Sequence, residues 1–214
     1  MSASPRLPEK IALAHPSAAT LRATALAYSG VPERGAELLI AALDQFPRNP
    51  ELTVALGHFL CSYLDAPDQA IEVLQRVDHG LTSHPMVANN LAYALIKAAR
   101  LSEARSTLAA HFESLRDNNT PTGICVRATW GLLRIREGAA LEGLQVYREL
   151  LAVARGELGE RLREKLLVEE GRDLLHSGQR DMAIRKLKKA ASLHVDREFD
   201  AEARALLRST EPPN

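Results

Sequence analysis

The chain has 214 residues, with 27 Lys plus Arg against 27 Asp plus Glu, so its formal net charge is zero. That balance removes the global attraction to nucleic acid or to an anionic membrane that a basic chain would have. Apolar residues make up 46% and aromatics 4%; Leu and Ala dominate and β-branched residues are sparse, which favours long helices over strands.

After a lead-in over residues 1–15, the pattern reads as helix A, turn, helix B, turn, repeated five times. In the first unit (about 16–49), helix A spans about Ala18 to Tyr28 and stops at Ser29-Gly30. Helix B runs from about Glu33 to Gln45, before Pro47. The second unit (50–84) carries Leu52, Leu56, Gly57 and Leu60 on helix A. Its helix B opens at Pro67-Asp68, since Pro is tolerated in a first turn, and carries Ala70, Ile71, Val73, Leu74 and Val77. Asp78 to Pro85 is a looser connection. The third unit (85–119) places Asn90, Leu91, Ala92 and Leu95 on helix A. Ala99 to Leu101 then turn, and Ser102 caps a helix B with Ala104 and Leu108. Asp117 to Gly123 is rich in turn residues. The fourth unit (122–155) has Ala128, Trp130, Gly131 and Ile135, then Gly143, Leu144, Tyr147, Leu150 and Leu151. The fifth (157–194) has helices at Leu158 to His176 and Asp181 to Leu193, split by Ser177-Gly178. A capping helix (199–208) and a tail (209–214) follow.

A small residue stands at one place in every helix B: Gly35, Ala70, Ala104, Gly143 and Ala183, at gaps of 35, 34, 39 and 40 residues. A residue no larger than a methyl lets two helix axes approach to about 8–10 Å. A lone hairpin cannot bury both its faces, so such units stack on their neighbours.

At these residues the chain resembles the tetratricopeptide repeat family. Leu56-Gly57, Leu91-Ala92 and Trp130-Gly131 match the bulky-then-small pair of helix A. Ala70 with Leu74, Ala104 with Leu108, Gly143 with Tyr147 and Ala183 with Leu187 match the helix B pair. Arg22, His111 and Glu170 depart from the pattern, standing where the family has bulky apolar or small residues. The resemblance implies an all-α, right-handed superhelical solenoid of about five repeats with a C-terminal cap. It also implies a non-catalytic scaffold binding a protein or peptide on its concave face.

Carried over from the family, the residues that would line that face are His58 and Ser62 in the second unit and Asn89, Asn90, Tyr93 and Lys97 in the third. The fourth adds Leu132 and Arg136, and the fifth Arg172 and His176. Asn90, just before Leu91, matches an asparagine that grips a ligand backbone in this family; an amide donates and accepts at once. Its bland role is a bond to a neighbouring repeat. Tyr93 is the natural central anchor. Val54 and His58 stand where chaperone-binding members carry clamp residues, so a chaperone C-terminus is not the expected ligand.

Other chemistry finds little support. Seven histidines are scattered without HExxH or Cys/His spacing, and there is no GxxxxGK[ST] or GxGxxG, so neither metal nor cofactor is expected. Cys61 and Cys125 form no CxxC pair and read as buried, reduced thiols of a cytoplasmic protein. No run reaches about 18 apolar residues, as a membrane span requires, and Met1 to Ala14 lacks the apolar stretch of a secretory leader. Arg180, Arg185, Lys186, Lys188 and Lys189 form the densest basic cluster. Without interleaved aromatics for base stacking they read as a solvated helix face. Contact with nucleic acid through that cluster stands as one alternative. A sensor or assembly module of a larger effector, such as a nuclease-linked repeat protein of bacteria, is another, since Glu211 to Asn214 reads as a linker. The apolar first helices also leave homo-oligomerisation open.

Overall fold

The computed structural model describes residues 15–76 and 84–211. Most of the lead-in, Val77 of the second helix B, residues 78–83 of the connection after it and residues 212–214 of the tail lie outside them. The described residues form eleven helices and no strand. They are α1 (Pro16–Tyr28), α2 (Pro32–Gln45), α3 (Pro50–Ser62), α4 (Pro67–Arg76), α5 (Pro85–Lys97), α6 (Leu101–Leu115), α7 (Pro121–Arg136), α8 (Ala140–Val153), α9 (Gly156–His176), α10 (Arg180–Ala191) and α11 (Arg197–Ser209). The class is the expected all-α helical repeat.

Proline opens six of these helices, at residues 16, 32, 50, 67, 85 and 121. Its fixed φ suits a first turn, where its missing N–H would have had no partner. Side chains cap several starts: Asn49 Oδ1 accepts from Leu52 N at 2.9 Å, and Asp196 Oδ1 from Glu198 N at 2.9 Å. Ser102, expected as a cap, lies inside α6; the helix begins at Leu101, and Ala104 N donates to Arg100 O at 3.1 Å. Position Arg100, not Ser102, therefore holds the cap place.

Every A-to-B turn uses one left-handed residue: Gly30 (φ 83°), Asp65 (48°), Ala99 (58°), Gly138 (91°) and Gly178 (74°). At Gly30 the chain closes helix A with two backbone bonds, Gly30 N to Ala27 O and Val31 N to Leu26 O, both 3.0 Å. These are the bonds of a helix that ends in a left-handed residue. Ala99 and Asp65 hold that conformation against their Cβ atoms.

The chain divides into two compact units at Thr107–Leu108, within α6. In the first unit α1 pairs with α2 and α3 with α4; α3 packs on α1 and α2, and α5 packs on α3 and α4. Ala19, Ala23 and Ala27 form a fully buried stripe on α1. Gly35 sits where α2 meets two helices at once. A Cβ there would lie 2.5 Å from the Phe59 ring and 2.8 Å from Ala23 O. Leu74 fills the space at Gly57 in the same manner.

In the second unit α7 pairs with α8 and α9 with α10, and α9 also packs on α8. The α7–α8 crossing is glycine on glycine: a Cβ on Gly143 would lie 2.3 Å from Gly131 O, and one on Gly131 would lie 3.2 Å from Gly143 O. Ile124, Leu144, Tyr147, Leu150, Leu162 and Leu166 close one core around it. Trp130 stacks on Phe112 with ring centroids 4.4 Å apart. A second core joins Leu167, Val168, Leu187, Ala190, Phe199 and Ala203. Helix α11 packs on α10 and α9 as α3 packs on α2 and α1, so the cap takes the position of a sixth helix A.

The residues that depart from the family pattern are accommodated individually. Glu170, in place of a bulky apolar residue, bridges Arg148 of α8 (2.8 Å) and Lys186 of α10 (2.6 Å). Burial works against its charge, but these two cations outweigh it and hold its carboxyl below the usual range. One member of the expected basic face is thus spent inside the repeat, while Arg180, Arg185, Lys188 and Lys189 are exposed. Cys61 is a buried thiol outside any disulfide, and Cys125 a half-buried one whose pKa burial pushes up, against the opposing pull of Arg161.

Candidate functional site

In the first unit the expected surface residues come from α3 and α5, the packed A helices. Two bonds tie these helices together. Asn90 Nδ2 donates to Val54 O at 2.8 Å, and Lys97 Nζ donates to Cys61 O at 3.0 Å. Lys97 also pairs with Asp65 at 2.9 Å. Asn90 therefore spends one of its two amide N–H donors on the preceding repeat, while its Oδ1 accepts from Asn89 Nδ2 at 3.3 Å. Asn89 itself is buried, and its Oδ1 has no hydrogen-bond partner among the described residues. His58 Nδ1 and Ser62 Oγ lie 3.2 Å apart. His58, Ser62, Asn90, Tyr93 and Lys97 are all half-buried, so each keeps part of its side chain at the surface.

Sequence reasoning missed an aromatic run beside them. Tyr28, at the end of α1, meets Tyr63 edge-on at 6.4 Å; Tyr63 leans on Phe59 at 4.6 Å and meets His58 at 6.2 Å. Tyr28 is 75% exposed. The signal was present in the sequence as aromatics recurring near the ends of successive A helices.

In the second unit the four expected residues separate. Leu132 is in the core, 3% exposed, between buried Gly131 and Leu133. Three buried residues in succession show that α7 is covered on more than one side, leaving fewer outward positions than one packing stripe suggests. Leu132 is corrected accordingly, and Asn89 likewise offers no free face. His176 is exposed in the last turn of α9. Arg136 and Arg172 meet in an ionic cluster that the sequence did not announce.

The centre of that cluster is Glu169, wholly buried on α9. Arg136 grips it with two bonds of 2.6 and 2.8 Å, Lys165 lies 3.0 Å away, and Arg172 Nε lies at 3.5 Å. Burial raises the cost of the Glu169 charge, but Lys165 and Arg136 more than offset it and hold its carboxyl well below the ordinary range. Burial likewise opposes the Lys165 ammonium, and Glu202 and Glu169 overcome it. Nearer the start of α9, Arg161 pairs with Asp196 at 2.7 Å, and buried Glu164 accepts from Asp196 N at 2.7 Å. Burial pushes the Glu164 carboxyl up.

These hairpins have solved counterparts. The chain is similar over 94% of its length to a tetratricopeptide repeat protein from Parabacteroides merdae, with a TM-score of 0.67, 14% identity and 74% of that chain covered. The fold is that of the tetratricopeptide repeat proteins. A thermophilic TPR protein of Thermus thermophilus matches at a TM-score of 0.62 and 16% identity, over 91% of this chain and 100% of that one. PilW, a widely conserved type IV pilus biogenesis factor, matches at 0.52 and 16%, over 90% of this chain and 83% of that one. No family model and no curated protein sequence matches the chain. Among the described residues no helix is long and apolar enough to cross a membrane.

Proposed function

We propose that this TPR-fold chain is a non-catalytic interaction scaffold that binds a protein or peptide segment on its A helices. One observation carries the reading. Helices α3 and α5 lie side by side, joined by Asn90 and Lys97, with His58, Ser62 and Tyr93 partly at the surface. A preformed, rigid surface loses little entropy when a segment docks on it. An aromatic side chain at its middle supplies contact area with few torsions to freeze.

The test uses a partner recovered with the wild-type chain and then bound in purified form. Tyr93→Ala and His58→Ala are each expected to weaken its Kd by about tenfold, with the helical circular dichroism unchanged. Wild-type affinity in both folded variants would show that the partner binds elsewhere.

A further inference from the structure

Helix α11 packs on α9 through buried Phe199 and Ala203, and a carboxylate on the same helix adds ionic contacts. Its Glu202 accepts from Lys165 Nζ at 2.9 Å and from Arg172 Nη2, and lies 3.9 Å from Arg136 Nη2. Phe199 of the same helix lies under the Lys165 ammonium, 4.8 Å from ring centroid to nitrogen. Three cations, Arg136, Lys165 and Arg172, thus face two carboxylates, Glu169 and Glu202.

The two carboxylates differ in kind. Glu169 belongs to α9, with Lys165 and Arg172 on adjacent turns of its own helix, and it is sealed from solvent. Glu202 arrives from another helix and keeps 24% of its side chain exposed, as Arg136 and Arg172 keep 27% and 28%. Another carboxylate can therefore approach the two guanidiniums from the side where Glu202 now sits. Arg172 Nε is buried 3.5 Å from Glu169 Oε2 and makes no hydrogen bond among the described residues. The outer face of α11, with Ala201, Arg204, Ala205 and Arg208, is exposed.

We propose that Arg136, Lys165 and Arg172 form a carboxylate-binding site that the chain fills with its own Glu202, and that an acidic segment of a protein partner binds there by displacing α11. Bidentate guanidinium contact and a buried ammonium favour a carboxylate over a neutral group. With Glu202 gone, three cations face the single carboxylate of Glu169, and the attraction for an incoming one grows. This site is separate from the surface on α3 and α5, so either can fail without the other.

Glu202→Ala in the full chain opens the site, and two probes read it. Sodium acetate is expected to raise the thermal midpoint of Glu202→Ala above its value in sodium chloride of equal ionic strength. It should not do so in the wild type or in Glu202→Ala combined with Arg172→Ala. A hexaglutamate peptide is expected to bind Glu202→Ala about tenfold more tightly than the wild type. In the wild type, saturating peptide should speed amide exchange across residues 197–209. A folded Glu202→Ala that distinguishes neither acetate from chloride nor itself from the wild type toward the peptide would overturn the proposal. So would peptide binding that leaves α11 exchange unchanged. If Glu202→Ala does not fold, Glu202→Gln keeps the side chain's shape and removes its charge. It should still bind the peptide more tightly than the wild type, and an unchanged affinity would count against the site.

Discussion

Gly143→Ala probes the closest helix contact in the second unit. The added methyl would lie 2.3 Å from Gly131 O, 2.5 Å from Ile135 Cγ1 and 3.0 Å from Ile135 N. Two of those atoms are backbone and cannot rotate away, so α8 must move off α7 by about 1 Å to restore ordinary contact. A gap of that size forfeits a quarter to a half of the dispersion energy of the atoms that lose contact. Leu144, Tyr147 and Leu150, each 3% exposed or less, are the residues that α8 would carry away. Overpacking of this kind costs about 1–3 kcal/mol, and the partial loss of three buried side chains adds about 1–2 kcal/mol. Alanine's better helix propensity returns about 1 kcal/mol. The net destabilisation is about 1–4 kcal/mol, which lowers the thermal midpoint by roughly 2–16 °C in a chain of this size. Melting followed by circular dichroism at 222 nm measures it. Ala152→Gly, at an exposed position of the same helix, isolates the propensity contribution. A Gly143→Ala chain as stable as the wild type would refute the claim that backbone contact at this crossing requires glycine.

The left-handed turns give a second prediction: Ala99→Gly relieves a strained φ of 58° and should stabilise the first unit by about 1 kcal/mol, read as a higher midpoint in urea. Glu169→Gln leaves Arg136, Lys165 and Arg172 with Glu202 as their one nearby carboxylate among the described residues, and should cost about 3–5 kcal/mol. The pH dependence follows from the same residue. Its folded pKa is depressed, so its stabilising contribution is complete above the ordinary value of 4.5 and is lost as pH falls toward the folded value. Urea midpoints of the wild type should fall on acidification below about pH 4.5. Those of Glu169→Gln should fall less, and parallel decline in the two chains would remove Glu169 from the account.

The repeat was legible because punctuation and packing are both written locally. Pro32, Pro50 and Pro67 stand at helix starts, Gly30, Gly138 and Gly178 at helix ends, and Gly35, Gly57, Gly143 and Ala183 at crossings where larger groups would collide or find no space. What each outward position faces was not legible. Periodicity gives the face of one helix, but a helix A between neighbours is covered on several sides. That is why Asn89 and Leu132 fell inside. The bonds that tie α7 and α11 into the ionic cluster join residues 30 or more positions apart, such as Arg136 with Glu169, Arg172 with Glu202 and Lys165 with Glu202. No local rule pairs them. A faint signal existed in Glu164, Lys165 and Glu169 flanking the apolar run Leu166-Leu167-Val168, where charges at buried helix positions require partners. Glu170 looked like a defect in the pattern and is instead held between Arg148 and Lys186.

Trp130 is the chain's one tryptophan, and it lies against Phe112 within the second unit. Its emission therefore watches a single place, where α6 and α7 meet, whereas far-ultraviolet dichroism averages over every helix. Three of the four tyrosines, Tyr28, Tyr63 and Tyr93, belong to the first unit, and Tyr147 to the second. Exciting tryptophan alone follows the second half, and exciting all aromatics adds a tyrosine signal drawn mostly from the first, with no dye attached. Unfolding curves that coincide would mean the halves melt as one body; curves that part would give each half its own stability.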